Sequence, residues 1–204
     1  ISGTATLKGN GVVEIAPEGL QLNAKNIIVA TGARPRSIPP LPLDQERIIT
    51  SRESILLKEL PKSIVIVGGG AIGVEFAYLY KMYGVEVTVV ELLPHLVPNE
   101  DEDISRQLER SFAKQRINVI TGAGVTGVDQ RPDGLTVKLD KDGVEQSVEC
   151  DKVLAAIGIH PNSEGIGLKE LSVETQGGYI QIDGQMSTNV RGIYAIGDVT
   201  GKLA

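Results

Sequence analysis

The stretch that most constrains the fold is residues 64–91, IVIVGGGAIGVEFAYLYKMYGVEVTVVE. A β-branched run leads into a glycine turn, a helical pattern follows from about 71 to 83, and a second β-branched run ends the stretch. Gly84 lies between helix and second strand as a helix stop. This succession predicts a β-α-β unit and therefore an α/β fold with a parallel sheet. The apolar residues that recur at helical spacing are Ile72, Phe76, Leu79 and Tyr83.

The glycine turn, Gly68 to Gly73, has the G-x-G-x-x-G spacing of a dinucleotide-binding turn. In that motif the first glycine permits a tight turn, the second lets backbone approach a pyrophosphate, and the third lets the helix pack closely on the strand. The spacing alone is weak evidence for a nucleotide site, because a chain with 24 glycines can contain this pattern by chance. Its position between a buried strand and a helix strengthens it, since the first N–H groups of a helix hold phosphates. The alternative is a turn that only packs the helix on the strand.

Two acids accompany the turn. Glu91 ends the second strand, 18 residues after Gly73, where a carboxylate binds the ribose hydroxyls and repels a 2′-phosphate. Residues 92–97 contain no Arg or Lys, which favours NAD over NADP. The alternative is a surface acid that ends a strand. Glu75, among apolar neighbours in the helix, either faces the nicotinamide end of the cofactor or is a plain surface glutamate.

The rest of the chain alternates short strands with turns. Pro-rich residues 33–46 have little room for a helix and are the best candidate for a domain boundary. Residues 99–116 predict a second helix, with acids in its first turn and bases in its last. The other predictions are a hairpin around Gly9–Gly11, buried strands at 25–32 and 151–158, a strand at 117–121, a β-meander from about 125 to 149, and short strands in the tail.

Composition excludes several classes of protein. With a net charge of −6, the sequence does not predict a basic surface for binding nucleic acid or an anionic membrane. No apolar run is long enough to span a bilayer. The start of the chain does not have the pattern of a signal peptide. The single cysteine, Cys150, is interpreted as a buried structural thiol in a reducing compartment, cytoplasmic or, in a eukaryote, the mitochondrial matrix. His95 and His160, far apart, predict loop residues rather than a zinc site or catalytic bases.

Three further segments each end a strand in a turn of small residues: IIVATGA at 27–33, LAAIGIHPN at 154–162 and TNVRGIYAIGDV at 188–199. With GGGAIGVEFA, and in this order, they resemble the pyridine nucleotide-disulfide oxidoreductases over essentially the whole chain. The resemblance implies a Rossmann-like three-layer NAD-binding domain with a β-meander, inserted in parts of a related FAD-binding domain. It assigns residues 1–35 and 161–204 to the FAD-binding domain and 36–160 to the NAD-binding domain.

The same resemblance implies cofactor contacts, and no catalytic or metal-binding residue, in this chain. Glu91 matches the acid on the adenosine ribose, Val125 a contact near the adenine, and Gly158 one near the nicotinamide ribose. Ile159 stands where the family often has arginine, so a charged contact from that turn is not expected. The residues matching the NAD pyrophosphate turn are Gly68, Gly69, Gly70, Ala71, Ile72, Gly73, Val74 and Glu75. Those matching the FAD site are Gly3, Thr31, Gly32, Ala33 and Asp198, the last being the acid on the ribitol chain.

The function that the resemblance implies is the oxidation of dihydrolipoamide with NAD+ through FAD and a redox disulfide, in a homodimer. The dihydrolipoamide would be carried on a lipoyl-bearing acyltransferase subunit. The family's first FAD motif and C-x4-C disulfide would precede residue 1, and its His–Glu pair and dimerisation domain would follow residue 204. The chain alone is therefore expected to be inactive and to retain little FAD. The alternatives are a flavin reductase for glutathione, mercuric ion, a quinone or ferredoxin, and a non-catalytic NAD-binding redox sensor.

Overall fold

The computed structural model describes residues 1–202, and their contacts form two compact units. Unit 1 comprises Ile1–Arg34 with the described residues from Ile159 on, and unit 2 comprises Pro35–Gly158. Within residues 1–202, no helix combines the length and the apolar character that a membrane crossing requires.

The helices are short and few, and most of the regular structure is strand. The helices are α1 (Ser51–Ile55), α2 (Ala71–Met82) and α3 (Glu102–Lys114), with a 3₁₀ turn at Gly197–Thr200. The strands are β1 (Thr4–Gly9), β2 (Val12–Ala16), β3 (Leu20–Asn23), β4 (Ile27–Val29), β5 (Ala33–Pro35), β6 (Ile48–Ile49), β7 (Ser63–Val67), β8 (Glu86–Glu91), β9 (Asn118–Thr121), β10 (Gly124–Arg131), β11 (Gly134–Lys141), β12 (Val144–Cys150), β13 (Lys152–Ala155), β14 (Ile159–Pro161), β15 (Thr175–Gln176), β16 (Tyr179–Ile180) and β17 (Ile193–Ala195).

Unit 2 is built on a five-stranded sheet in the order β6-β13-β7-β8-β9, with every pairing parallel. Its central strand, β7, is buried on both faces because its side chains alternate between two cores. Ile64 and Ile66 belong to a core shared with α2 and α3, whereas Val65 and Val67 belong to a core shared with the meander. The helices and the meander therefore cover opposite faces of the sheet, as an α/β fold requires.

The buried face of α2 differs from the face that apolar spacing indicates. The buried residues are Gly73, Ala77 and Tyr80. Ile72, Leu79 and Tyr83, which recur at helical spacing, are 36%, 46% and 66% exposed, so they do not form the packed face. The small residues Gly73 and Ala77 occupy the first part of the packed face, where α2 lies close to the sheet, and Tyr80 is buried further along the helix. The helix ends as predicted, with Gly84 at φ +83° directly after the C-cap Tyr83.

The second helix and the meander are confirmed. The helix α3 begins after Asp101, whose side chain accepts a hydrogen bond from the N–H of Asp103 at 2.8 Å, and it is shorter than the predicted 99–116. Strands β10, β11 and β12 form an antiparallel sheet in that order. Its inward residues, among them Val137 and Leu139, fill the core on that face of the parallel sheet.

The short helix α1 is absent from the sequence-based prediction. The side chain of Thr50 caps the helix N-terminus, and Glu53 accepts a hydrogen bond from the N–H of Thr50 at 2.9 Å. This is the capping box S/T-x-x-E, a signal that was available in the sequence. The hydroxyls of Ser54 and Tyr80 lie 2.6 Å apart and join α1 to α2.

Unit 1 contains the predicted hairpin, extended to a third strand in the order β1-β2-β3. Strand β4 pairs in parallel with β17. It is shorter than the predicted strand, and Ile28 is 62% exposed, so this strand is not buried on both faces in the described residues. The other pairs are β5 with β14 and β15 with β16, and the core of the unit includes Leu7, Ile180, Ala195 and Val199.

We expect Ile66→Ala to lower the free energy of unfolding by about 3 kcal/mol, because Ile66 is fully buried and truncation leaves a cavity. Ile104→Ala makes the same change at a position on α3 that is 57% exposed, and it should cost less than about 0.5 kcal/mol. Urea unfolding followed by circular dichroism measures both. Equal unfolding midpoints for the two variants would contradict the two-core arrangement.

Candidate functional site

The predicted glycine turn and Glu91 lie at the carboxyl edge of the parallel sheet in unit 2. Gly68 follows β7, Glu91 ends β8, and Ala156 follows β13. The chain leaves β7 toward β8 on one side, while β13 pairs with β7 on the other. This is the point at which the strand order reverses, and in open α/β sheets ligands bind in the crevice at that point.

Two of the glycines are required by backbone packing. A Cβ on Gly68 would overlap the carbonyl oxygen of Ala156, at the end of the neighbouring strand β13. A Cβ on Gly73 would overlap the carbonyl oxygen of Gly68, so the first turn of α2 lies directly against the end of β7. Gly70 differs, because a Cβ there would meet open space. The open space at Gly70 leaves room for a group to approach the backbone.

The start of α2 offers hydrogen-bond donors that no side chain occupies. Gly70 is the N-cap residue and provides no side-chain cap, and the first turn contains no acidic residue. The first N–H groups of a helix have no partners within the helix, and the helix dipole adds positive potential there. The site therefore suits an anionic ligand such as a phosphate group.

Glu91 is a buried carboxylate, with only 8% of its surface exposed. Its Oε2 accepts a hydrogen bond from the N–H of Gly69 at 2.5 Å, and its Oε1 accepts one from the N–H of Leu93 at 2.8 Å. It forms no salt bridge within residues 1–202. Burying a carboxylate is costly unless its oxygens are hydrogen-bonded, and here backbone donors satisfy both oxygens.

The segment after Glu91, which the sequence analysis considered only for its lack of Arg and Lys, packs against the same turn. We call residues 92–98 the covering segment. Leu96 is fully buried against Gly69, and the N–H of Val97 donates to the carbonyl oxygen of Gly69 at 2.8 Å. The N–H of Leu96 donates to Oε1 of Glu109, on α3, at 3.0 Å. The prolines 94 and 98 are the only sequence signal that this segment is ordered.

The other predicted NAD contacts are more dispersed. Glu75 is exposed on α2, and its carboxylate has no hydrogen-bond or salt-bridge partner within residues 1–202. Val125 lies near the start of β10 and is half-buried against the meander-side core. Gly158 is exposed, adopts φ +98°, and accepts a hydrogen bond from the N–H of Arg36 at 3.0 Å.

Most of the predicted FAD residues lie together in unit 1. Because β4 and β17 are parallel, the turns that follow them, with Thr31–Ala33 and Asp198, lie at the same edge. Asp198 is exposed, and its carboxylate makes no hydrogen bond or ion pair in the described part of the chain. Gly3 lies apart at the end of the hairpin, where a Cβ would come within 2.6 Å of the carbonyl oxygen of Ala16.

The turn at Thr31 is held by hydrogen bonds to residues of unit 1 that follow Ile159 in the sequence. The hydroxyl of Thr31 donates to the carbonyl of Asn162 at 2.6 Å, and the side-chain amide of Asn162 donates to the carbonyl of Thr31 at 3.0 Å. Arg34 donates to Oδ1 of Asn162 at 3.0 Å and to Glu164 at 2.9 Å. The hydrogen bond from His160 and the contact with Arg34 lower the pKa of the Glu164 carboxyl.

The histidines and the cysteine lie away from the carboxyl edge or have structural partners. His160 lies 3.1 Å from Glu164, and His95 lies 3.2 Å from the carbonyl of Leu96. Cys150 is buried, and burial raises its pKa to about 11. A polar cavity of about 250 Å³ adjoins Cys150 and Ser63, at the amino end of β7 and so at the opposite edge from the glycine turn. No group of three or more potential metal-ligating side chains occurs in residues 1–202.

Together these features define an α/β protein with a glycine turn and an uncapped helix start at the switch point of a parallel sheet. The chain matches the family described as pyridine nucleotide-disulphide oxidoreductase over residues 1–204, and it belongs to that family.

Relatives and solved structures agree with this family. A dihydrolipoyl dehydrogenase from Chlorobaculum tepidum is 46% identical over 207 residues, a match that covers 100% of this chain and 44% of that protein. One from Mycobacterium leprae is 48% identical, with 90% of this chain and 39% of that protein covered. The chain thus spans less than half the length of these relatives.

Two solved structures share the fold. LpdA from Mycobacterium tuberculosis has a TM-score of 0.88 at 35% identity, over 100% of this chain and 46% of that one. The HOCl-induced flavoprotein disulfide reductase RclA from Escherichia coli has a TM-score of 0.85 at 28% identity, over 100% and 46%.

We expect the burial of Cys150 to make the chain sensitive to alkali. The thiol pKa is raised from 9.0 to about 11, so the unfolded state loses the proton first. The contribution of the protonated thiol is fully present below pH 9 and is lost as pH rises toward 11, by about 2 to 3 kcal/mol in total. The free energy of unfolding in urea should fall between pH 8 and pH 10.5, and it should fall less for Cys150→Ala than for the wild type. The same loss in both proteins would contradict this assignment.

Proposed function

We propose that the chain is the NAD-binding region, with flanking FAD-binding parts, of a flavin-dependent dihydrolipoamide dehydrogenase. The observation that carries the proposal is the buried carboxylate of Glu91 at the end of β8, which accepts a hydrogen bond from the N–H of Gly69, the residue between the first two glycines of the motif. A ribose acid in this position belongs with a dinucleotide whose pyrophosphate lies on the start of α2. The dihydrolipoyl dehydrogenase names of the similar proteins support the choice of substrate.

The residues fit a dinucleotide at the carboxyl edge of unit 2. Glycine at 68 and 73 brings the start of α2 against the sheet, and the open space at Gly70 admits a pyrophosphate to the backbone. The uncapped N–H groups of residues 70–73 would hold the phosphate oxygens, and Glu91 the adenosine ribose. In the same proposal Val125 lies near the adenine and Gly158 near the nicotinamide ribose.

Selectivity for NAD over NADP follows from charge. A 2′-phosphate beside Glu91 would bring a second negative group to a buried carboxylate that forms no ion pair within residues 1–202. The residues after Glu91 offer no compensating cation, since none of residues 92–97 is Lys or Arg. Repulsion in a partly buried site is screened less than at the surface, so it discriminates between the two nucleotides.

The residues of unit 1 fit one side of a flavin site. The turn at Thr31–Ala33 presents backbone at the strand edge, and the Asp198 carboxylate is exposed at the same edge to accept hydrogen bonds from the ribitol hydroxyls. Gly3 has a packing role in the hairpin that accounts for it without a flavin contact. When bound, the flavin and the nicotinamide supply the hydride chemistry, and the part of this chain is to bind and orient them.

The proposal includes residues 36–160 as the NAD-binding domain and the residues on either side as parts of the FAD-binding domain. The complete enzyme would act on a lipoyl-bearing acyltransferase subunit, as a homodimer. A second candidate is another flavin-dependent disulfide reductase, which the likeness to RclA favours. Both candidates use the same nucleotide site.

We expect the chain to bind NADH at least tenfold more tightly than NADPH, a difference of about 1.4 kcal/mol. Glu91→Gln should narrow this ratio, because the variant removes the negative charge and keeps one acceptor oxygen. The matched control is Glu86→Gln, which makes the same change at the exposed first residue of β8 and should leave the ratio unchanged. Calorimetric titration with each nucleotide measures the ratio.

Equal affinities of the wild-type chain for NADH and NADPH would refute the role given to Glu91. An equal narrowing in Glu86→Gln would show that net charge, rather than the site, sets the ratio.

A further inference from the structure

We propose that Glu109 is a positioning residue for the dinucleotide turn, which it presets by anchoring the covering segment, residues 92–98, to α3. The inference rests on the proposed nucleotide site and adds a residue on α3 whose hydrogen bond goes to the covering segment rather than to the turn. It is carried by three consecutive hydrogen bonds, which run from α3 through the covering segment to Gly69 and on to Glu91.

Gly69, the residue between the first two glycines of the motif, is held on both of its backbone groups. Its N–H donates to Glu91 at 2.5 Å, and its carbonyl oxygen accepts from the N–H of Val97 at 2.8 Å. The side chain of Leu96 lies against the position that a Cβ of Gly69 would occupy. The peptide groups on either side of Gly69 therefore keep their orientation without a ligand, although glycine is otherwise the most flexible residue of the chain.

The covering segment does not hold this conformation by its own preferences. Val97 adopts φ +42°, in the left-handed region, where a β-branched residue is a marked outlier. Such a conformation costs on the order of 1 to 3 kcal/mol and persists only where the surroundings enforce it. The contacts that enforce it are the burial of Leu96 and the hydrogen bonds of the Leu96 and Val97 N–H groups.

Glu109 supplies the anchor from outside the segment. Its Oε1 accepts the N–H of Leu96 at 3.0 Å, and the residue is half-buried on α3. In the described part of the chain it makes no salt bridge, so this contact is its structural role. A charge-assisted hydrogen bond to a backbone N–H is stronger than a neutral one, and it fixes the residue next to the strained Val97.

Loss of the anchor should loosen the turn without altering nucleotide selectivity. Glu109 lies on a different helix from the phosphate-binding N–H groups, and Glu91 remains in place to discriminate a 2′-phosphate. We expect Glu109→Ala to weaken NADH and NADPH binding by the same factor, about five- to tenfold, which is about 1 to 1.4 kcal/mol. Glu109→Gln keeps an acceptor oxygen and should restore most of the affinity.

The matched control is Glu102→Ala, which removes an exposed carboxylate from the same helix. Glu102 contacts Arg106 at 3.4 Å and has no contact with the covering segment. Its nucleotide affinities should stay within twofold of those of the wild type. Urea unfolding of all variants shows whether the fold is equally stable in each.

The experiment combines calorimetric titration of NADH and NADPH with amide hydrogen exchange measured by NMR on the nucleotide-free chain. In Glu109→Ala the amides of Leu96, Val97 and Gly69 should exchange at least tenfold faster than in the wild type, whereas amides of β7 should not change. In Glu109→Gln the exchange should return toward the wild-type rate.

Unchanged exchange at these three amides in Glu109→Ala would overturn the proposal, and so would unchanged NADH affinity in a variant whose turn exchanges faster. Loss of affinity for NADH alone would also overturn it, because that result would place Glu109 at the ribose. If the wild-type chain binds neither nucleotide, the proposed function fails, and the exchange data still decide whether Glu109 presets the turn.

Discussion

The close approach of α2 to the end of β7 is the constraint on which the nucleotide edge of unit 2 depends. Because a Cβ on Gly73 would overlap the carbonyl of Gly68, any larger residue would push the helix away from the sheet. A Cβ on Gly68 would in turn overlap the carbonyl of Ala156. Three segments, the end of β7, the start of α2 and the residue after β13, thus meet in a space that only glycine allows. These glycines lower the stability of the fold, because glycine loses more conformational entropy on folding than other residues.

Charge is distributed at this edge so that two anions can share it. The Glu91 carboxylate is satisfied by the N–H groups of Gly69 and Leu93. The donors at the start of α2, residues 70–73, point from a different part of the turn and have no side-chain acceptor. A pyrophosphate on those donors would not compete with Glu91 for hydrogen bonds. The buried acid then discriminates between ribose substituents without removing donors from the phosphates.

The sequence predicts the regular elements of unit 2 well because strand and helix periodicities are local. It predicts the buried face of α2 poorly, because Tyr83 and Leu79 have the apolar character of core residues but the packed face needs small ones such as Ala77. Glu91 could be singled out from its spacing after the glycines. Glu109 could not, because its contact with Leu96 depends on how α3 lies beside the covering segment, and no local pattern encodes that arrangement.

The same physical problem recurs in unit 1 and has the same kind of solution. A turn of small residues after a strand presents its backbone freely, but it has few side chains with which to fix its own conformation. In unit 1 the turn after β4 is fixed from 131 residues away in sequence, by the reciprocal hydrogen bonds between Thr31 and Asn162. In unit 2 the glycine turn is fixed by Glu91 and Val97. Where a motif consists of small residues, many of the groups that fix its geometry therefore lie outside the motif, and mutations at positions such as Asn162 should alter the site while leaving every motif residue intact.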